Sequence, residues 1–388
     1  MFQKNIDFKP LVFVLILVIN NCFFISIQAI YYIIVVLFWM LYFFQEILSN
    51  ELKYSSLFLF YFACLFSIWV NDIPSQVQPY FRFGIFFMMT TLLGPAFYSA
   101  KLNEFKNKVF IYLNNINLFI CSLSIVLNIT GLHQGQVMNL QYNVLRPDFA
   151  GLYNHSMTLG PMSAIGVLYC FYLLKIEKIN KYVIYLIMLL CFLACLKSGS
   201  RTGLAGLVIS VIYIYYKLSG EKSTKLMLFV FSTTLLLLVL YPFYSSYIEF
   251  MMQKFDNNAE AGSVISSRES KWSARIQEFL SSPFFGVGYG NVRYEAIGEE
   301  GIVEPGSSWL AILSMTGLLG FCLFFINYYK IFISKMFLKR KSDYFSFAIA
   351  VTLLLSIYMI FEGTFLSAGT LMSAMIWVNL GIINSRIK

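Results

Sequence analysis

The chain has 388 residues, of which 59% are hydrophobic, 18% aromatic and only 12% charged, and its mean hydropathy is +0.72. Soluble domains carry roughly 25% charged residues, so this chain has about half the charge a water-exposed surface needs, which excludes a soluble globular enzyme. The net charge of +9 raises the question of an anionic partner, but in a membrane chain it first asks on which side the cations sit.

A helix needs about 20 apolar residues to cross the hydrocarbon core. In chain order the apolar runs predict spans at 10–27, 29–46, 54–70, 80–100, 109–129, 150–175, 181–197, 201–217, 225–243, 306–329, 343–360 and 364–384. Runs this continuous lack the alternation of a membrane barrel. The expected fold is all-α: a polytopic integral membrane protein of about 12 transmembrane helices, with 1–388 as a single membrane domain. One long external loop, 244–305, carries interfacial helices. Lys4 and Lys9 precede the first run with no small-residue cleavage site after it, so this segment reads as a retained span rather than a signal peptide.

Twelve spans put both termini on one side. Nineteen of the 28 Lys and Arg fall at the termini and in the even-numbered loops, which places those in the cytoplasm. Nine remain outside: Arg82, Arg146, Lys197 and Arg201 at helix ends, and Lys254, Arg268, Lys271, Arg275 and Arg293 in the long loop. Each of the first four taken alone reads equally as a snorkelling headgroup contact. Together with the loop cations they read as an external face built for an anion. Glu46 and Glu362 sit at span ends and no ionisable residue lies mid-helix, which argues against an ion-coupled transporter.

The seven cysteines all fall inside apolar runs and read as buried free thiols. With no CxxC pair, and His133 and His155 as the only histidines, no zinc site is expected.

Four segments carry the chemistry. Arg146-Pro-Asp-Phe-Ala-Gly-Leu-Tyr-Asn-His155 leads into a span, and Ser198-Gly-Ser-Arg-Thr-Gly-Leu-Ala-Gly206 opens another. In the second, a helix start offers backbone N–H groups and a favourable dipole, and Arg201 adds a bidentate donor suited to phosphate. Its small residues equally suit helix packing in a membrane. In the long loop, Ser266 or Ser267 caps a helix that runs to about Ser281, with Arg268, Lys271 and Arg275 in one arc beside Trp272, Ile276, Phe279 and Leu280. A helix that merely caps the bundle is the plainer reading. Pro283-Phe-Phe-Gly-Val-Gly-Tyr-Gly290 follows, a glycine run that is weakly suggestive of an anion nest.

In this order the segments resemble the O-antigen polymerase/ligase family of bacterial envelope glycosyltransferases. The elements that carry the resemblance are Arg146 with Gly151-Leu-Tyr-Asn-His155 and Leu159-Gly160; Ser198-Gly-Ser-Arg201-Thr-Gly; Arg268, Trp272, Pro283 and Gly286-Val-Gly288-Tyr-Gly290; and Ser307-Ser-Trp-Leu with Gly317-Leu-Leu-Gly320. They cover about 146–320. The resemblance implies a membrane glycosyltransferase of the bacterial inner membrane with a periplasmic site. Its partners would be polyprenyl-pyrophosphate-linked glycan donor and acceptor, the lipid bilayer and a chain-length regulator, with no nucleic acid, metal or cofactor. Arg146, Arg201, Arg268 and Arg275 would bind the pyrophosphate, with Arg82 as a further candidate. The family often has a His before the Ser-Ser stretch, where this chain has Gly306. Glu304 is then the first candidate base and His155 the second, with a structural hydrogen bond as the competing role for His155. The missing His leans toward a repeat-unit polymerase over a ligase. A lipid-linked oligosaccharide flippase is the alternative from another class.

Overall fold

The computed structural model describes residues 7–22, 27–49, 51–73, 77–132, 136–139, 144–176, 180–220, 222–232, 268–291, 306–338 and 342–385, with the single positions 245, 249 and 252. The helices are α1 (Phe8–Ile19), α2 (Gln28–Leu48), α3 (Phe58–Val70), α4 (Pro79–Leu93), α5 (Ala100–Ile129), α6 (Ser156–Ile176), α7 (Lys181–Lys197), α8 (Arg201–Leu218), α9 (Ser223–Ser232), α10 (Arg268–Ser281), α11 (Ser308–Tyr328), α12 (Ser334–Met336), α13 (Asp343–Phe361) and α14 (Leu371–Ser385). A π-helical turn, Tyr329–Ile333, joins α11 to α12 into one rod. Among the described residues, five helices are long and apolar enough to cross a membrane: α2, α5, α6, the α11–α12 rod and α13. Four more apolar helices are shorter: α1, α3, α9 and α14. A multi-pass all-α membrane protein is therefore the architecture.

Burial sorts the helices into layers. Helices α13 and α14 are apolar on all sides and enclosed along most of their length, as a helix in the middle of a bundle must be. Helix α2 buries only Tyr31, Val35, Phe43 and Glu46, and turns Ile33, Leu37, Met40, Phe44 and Leu48 outward. Such an apolar outer surface suits lipid, where it costs nothing to expose. Of the cysteines, Cys64, Cys121, Cys170, Cys191 and Cys195 are buried, Cys22 is half-buried and Cys322 is exposed on the outer face of α11.

Several boundaries differ from the sequence reading: the helix of the span expected at 10–27 ends at Ile19, and that of the span expected at 364–384 begins at Leu371. The expected span 80–100 stops at Leu93, and residues 101–108, expected as a loop, belong to the first turns of α5. Pro95 lacks an amide hydrogen and restricts Gly94 before it, while Ser99 recaps the chain by accepting from the Leu102 amide at 3.1 Å. Lys106 then lies buried, with its ammonium on the carbonyls of Gly94 and Phe97 at 2.6 Å each. The span expected at 150–175 likewise begins later, at Ser156. Ahead of it the chain forms an antiparallel hairpin of β3 (Gln136–Asn139) and β4 (Val144–Phe149), where no strand was expected. A second small pairing joins β1 (Lys53–Tyr54) to β2 (Phe97–Tyr98).

Contacts partition the chain ends between the two ends of the bundle. At one end Asp7 meets Lys108, Lys101 meets Glu46, β1 pairs with β2, and Lys217 donates to the Leu338 carbonyl. At the other end Asn21 receives the Leu371 amide, Tyr31 donates to Ala368, and Cys22 bridges Tyr153. The ends expected on one side of the membrane thus meet each other.

The glycine run 286–290 is a packing device. The amides of Gly286, Val287, Gly288 and Tyr289 donate to Ser282 O, Ser314 O, Met315 O and Ser67 Oγ. Four of the five N–H groups of the run, those of 286–289, are thus committed to protein acceptors and serve packing rather than an anion. The run instead enters a break in α11 at Gly317, whose φ of 65° and ψ of −170° open the helix. There the Leu318 and Leu319 amides turn to the carbonyls of Pro283 and Phe284. A Cβ on Gly286 would stand 2.4 Å from the Met315 carbonyl carbon, and its φ is +71°. Gly286→Ala should therefore cost about 1–3 kcal/mol through left-handed strain and overlap. Gly84→Ala, with nothing within 4 Å of the added carbon, is the neutral control. Thermal unfolding of both variants in detergent checks this.

Candidate active site

The site is assembled around the C-terminal end of α13. A helix leaves its last carbonyls without partners, and here other helices supply them. Ser307 Oγ donates to Met359 O at 3.4 Å and Ser308 Oγ to Glu362 O at 2.6 Å, which fixes the start of α11. Arg268, the first residue of α10, donates from Nε to Phe361 O at 2.8 Å and from Nη2 to the Glu362 carboxylate. Its guanidinium carbon also lies 5.9 Å from the centre of the Phe361 ring. Trp272, one turn on, donates from Nε1 to Gly306 O at 3.0 Å.

Helix α6 joins the same end through its proline. Pro161 cannot supply the amide that would normally bond to Met157 O, and the Tyr358 hydroxyl of α13 takes its place at 3.0 Å. At the start of α6, Nδ1 of His155 accepts from the Met157 amide at 3.0 Å. The ring therefore caps the helix, the structural role that competed with catalysis, and this bond assigns the ring hydrogen to Nε2.

Helix α8 packs closely against both. A Cβ on Gly160 would lie 2.3 Å from the Ser200 Cβ, and one on Gly203 would lie 3.1 Å from the Gly160 carbonyl carbon. One on Gly206 would touch Leu354 of α13 at 3.2 Å. The small residues of the Ser198–Gly206 motif thus serve helix packing, while Ser200 caps α8 by accepting from the Gly203 amide at 3.2 Å. Close approach is what carries Arg201, the first residue of α8, to the α13 end. Arg201 and Arg268 are near enough to repel each other.

The other candidate residues stand as follows. Arg146 lies on β4, not at a helix start, ten positions ahead of α6. Arg82 is exposed on α4, with its Cδ 3.8 Å from where a Cβ of Gly290 would sit. Lys197 donates to Asn128 and covers the Phe149 ring at 5.4 Å, which ties the hairpin to α5 and α7. Glu304, Arg293 and Lys254 fall outside the described residues, as do Ser266 and Ser267.

Arg275 needs a correction. It is 2% exposed, donates to Glu278 at 2.8 Å, and reaches Ser314 Oγ at 3.5 Å beside the α11 break. Burial pulls its guanidinium below the ordinary arginine range, and Glu278 opposes that shift. The expected cationic stripe is accordingly turned inward, while Ile276 and Leu280 face outward. This orientation still suits a helix at a membrane interface, but it makes Arg275 a packing residue. Arg268 and Arg201 remain as the cations that converge.

Gly306 has a physical reason to be glycine. Its φ is +68°, and a Cβ would sit 2.8 Å from that of Lys271. A histidine does not fit there while Trp272 holds the Gly306 carbonyl.

Residues 186–325 match the family model described as O-antigen ligase. The resemblance to the O-antigen polymerase/ligase family is borne out. The O-antigen ligase match runs from within α7 to within α11 and takes in Arg201, Arg268 and Arg275. Arg82, Arg146, His155 and Glu362 lie outside it. No curated protein matches the chain.

Glu278 escaped sequence reasoning, Ser308 was read only as part of the Ser-Ser-Trp-Leu element, and Glu362 was noticed only as a span-end acid. Arg268 and Glu362 are 94 residues apart, so no local spacing links them. The one available signal was an acid placed directly after an apolar run. If Arg275 and Glu278 form a structural pair, removing one partner is costly and removing both is not. Glu278→Ala should lose roughly 3–5 kcal/mol, and an Arg275→Met, Glu278→Leu double variant should recover most of it. A double-mutant cycle read by unfolding in detergent checks the prediction.

Proposed function

We propose that the protein polymerises polyprenyl-pyrophosphate-linked oligosaccharide repeat units into O-antigen or a related surface polysaccharide. In this reading it spans the bacterial inner membrane about 12 times, with both termini in the cytoplasm and the site on the periplasmic face. The observation that carries the reading is that Arg268 binds the C-terminal end of α13, the helix against which α8 packs with Arg201 as its first residue. Two guanidiniums beside a helix start are matched to a pyrophosphate, which they can grip bidentately.

The acceptor sugar hydroxyl attacks the anomeric carbon of the donor, and polyprenyl pyrophosphate leaves. Negative charge grows on the leaving group in the transition state, so cations held in place beforehand lower the barrier. The sugar–phosphate bond supplies the energy, and no nucleotide is needed outside the cell. Arg146, on its strand ahead of α6, is assigned to the same substrate; Arg82, beside the glycine run, is a further contact.

Transfer of the finished glycan to lipid A–core is the second reading, favoured by the description of the matched family as O-antigen ligase. The glycine locked at position 306 supports the polymerase.

Arg201→Ala and Arg146→Ala should each remove long-chain polysaccharide while leaving the protein in the membrane, a loss on the order of 10²–10³ in rate. Chain-length profiles of complemented deletion strains measure this, and normal lengths in both variants would sink the pyrophosphate site. The same strain separates the two readings: without a polymerase single-repeat caps remain, and without a ligase no caps form.

A further inference from the structure

We propose that a charged cavity at the end of the bundle away from Arg268 holds the headgroup of a zwitterionic aminophospholipid, its phosphate on Lys9 and Lys101 and its ammonium on Glu104.

The cavity measures about 190 Å³ and lies where α1, α2 and the first turns of α5 meet. Its place along the bundle follows from α13. Tyr344, in the first turn of that helix, donates to Asn107 Oδ1 beside the cavity at 3.3 Å, whereas Arg268 holds the helix's other end. Five charged residues line it: Asp7, Lys9, Lys101, Glu104 and Lys108.

These charges are not all spent on one another. Lys108 bridges Asp7 at 2.8 Å and Glu104 at 2.6 Å, and Asp7 also accepts the Lys9 amide at 3.2 Å. Glu104 is 61% exposed and meets Lys108 through Oε1, which leaves Oε2 to receive a donor. Lys101 stands 3.7 Å from Glu46, an ion pair too long for a hydrogen bond. The Glu46 carboxylate is 1% exposed and makes no hydrogen bond among the described residues, so it holds Lys101 in place by charge alone. The three N–H donors of Lys101 are therefore available to an anion, as are those of exposed Lys9.

The balance of charge selects the ligand. Three lysines face two lining acids, and Glu46 beside Lys101 makes the sum zero. An anionic headgroup would meet as many carboxylates as ammonium groups, whereas a zwitterion offers each sign its complement. A primary ammonium donates hydrogen bonds to a carboxylate, which a trimethylammonium cannot do. Choline is instead held in cages of aromatic faces. Here the two rings that line the cavity, Tyr42 and Phe105, lean on each other with centres 4.4 Å apart.

The surroundings make the ligand a lipid. Leu41 lines the cavity and also belongs to the outward apolar face of α2, with Leu37, Phe44 and Leu48. A headgroup seated among the charges thus lays its acyl chains along a surface already suited to hydrocarbon. Bound there, the lipid ties α1 to α2 and α5.

The test uses the full-length protein, stripped of co-purified lipid in detergent, as wild type, Lys9→Gln, Lys101→Gln, Glu104→Gln and Lys181→Gln. Native mass spectrometry follows binding of dioleoyl phosphatidylethanolamine, phosphatidylglycerol and phosphatidylcholine. Wild type should bind phosphatidylethanolamine about tenfold more tightly than either of the others, the size of one charge-assisted hydrogen bond. Lys9→Gln and Lys101→Gln should each weaken that binding by a similar factor. Glu104→Gln should lose the preference over phosphatidylcholine and bind phosphatidylglycerol more tightly than wild type does. Lys181→Gln, at the start of α7 and outside the cavity, should behave as wild type. Equal binding of the three lipids by wild type, or tightest binding of phosphatidylglycerol, overturns the proposal. So does an unchanged preference in both Lys9→Gln and Glu104→Gln, which alter exposed side chains and decide the matter if Lys101→Gln aggregates. Competition with glycerophosphoethanolamine separates a lipid from a soluble phosphate compound. It should fail to displace the lipid at equal concentration, and full displacement overturns the lipid assignment.

Discussion

The C-terminal turn of α13 is the constraint on which the rest of the structure hangs. A helix that ends inside a protein must find donors for its last carbonyls, because no water reaches them. Here the donors come from Ser307 and Ser308 at the start of α11 and from Arg268 at the start of α10. Tyr358 of the same turn repairs the carbonyl that Pro161 leaves open in α6. One helix end therefore sets the positions of three other helix starts, and Gly206 lets α8 pack against its shaft. The polar groups that close this end are also those that would meet a substrate.

That dual use explains why structural and catalytic roles are hard to separate here. Arg268 caps a helix and is also one of the cations proposed to bind pyrophosphate. His155 caps α6 at the edge of the same region. In a membrane, polar groups are too costly to place without a partner, so a site is built from groups that the helix ends already need. Arg275 shows the other outcome. Its partner Glu278 lies one turn away on its own helix, and the pair braces α10 against the break in α11.

The glycines divide in the same way. Those at 286 and 317 allow two backbones to meet edge to edge, and each takes a left-handed φ to do so. Those at 160, 203 and 206 are about distance between helices, not backbone freedom, and they bring Arg201 to the α13 end. A nest for an anion was a fair expectation from the glycine run alone. Amides can be counted only once their acceptors are known, and those of 286–289 are taken by the protein itself.

The sequence by itself determined the solvent, the class and most of the helices. Apolar runs long enough to cross a bilayer have few alternatives to the α-helix, since lipid offers the backbone no hydrogen bonds. Thus 181–197 and 343–360 appear almost residue for residue. Boundaries set by local chemistry were legible in principle, as with Pro95 and Ser99, though composition hid them. The arginine motifs were legible as chemistry, because few residues suit phosphate so well. Only the tertiary structure decided which arginines meet. Arg201 and Arg268 converge while Arg275 turns into the protein, and the acid that completes the group comes from a distant helix end. The reason is that charge is read from residue type, whereas pairing depends on which helix faces lie together, and that is settled by packing across the whole bundle.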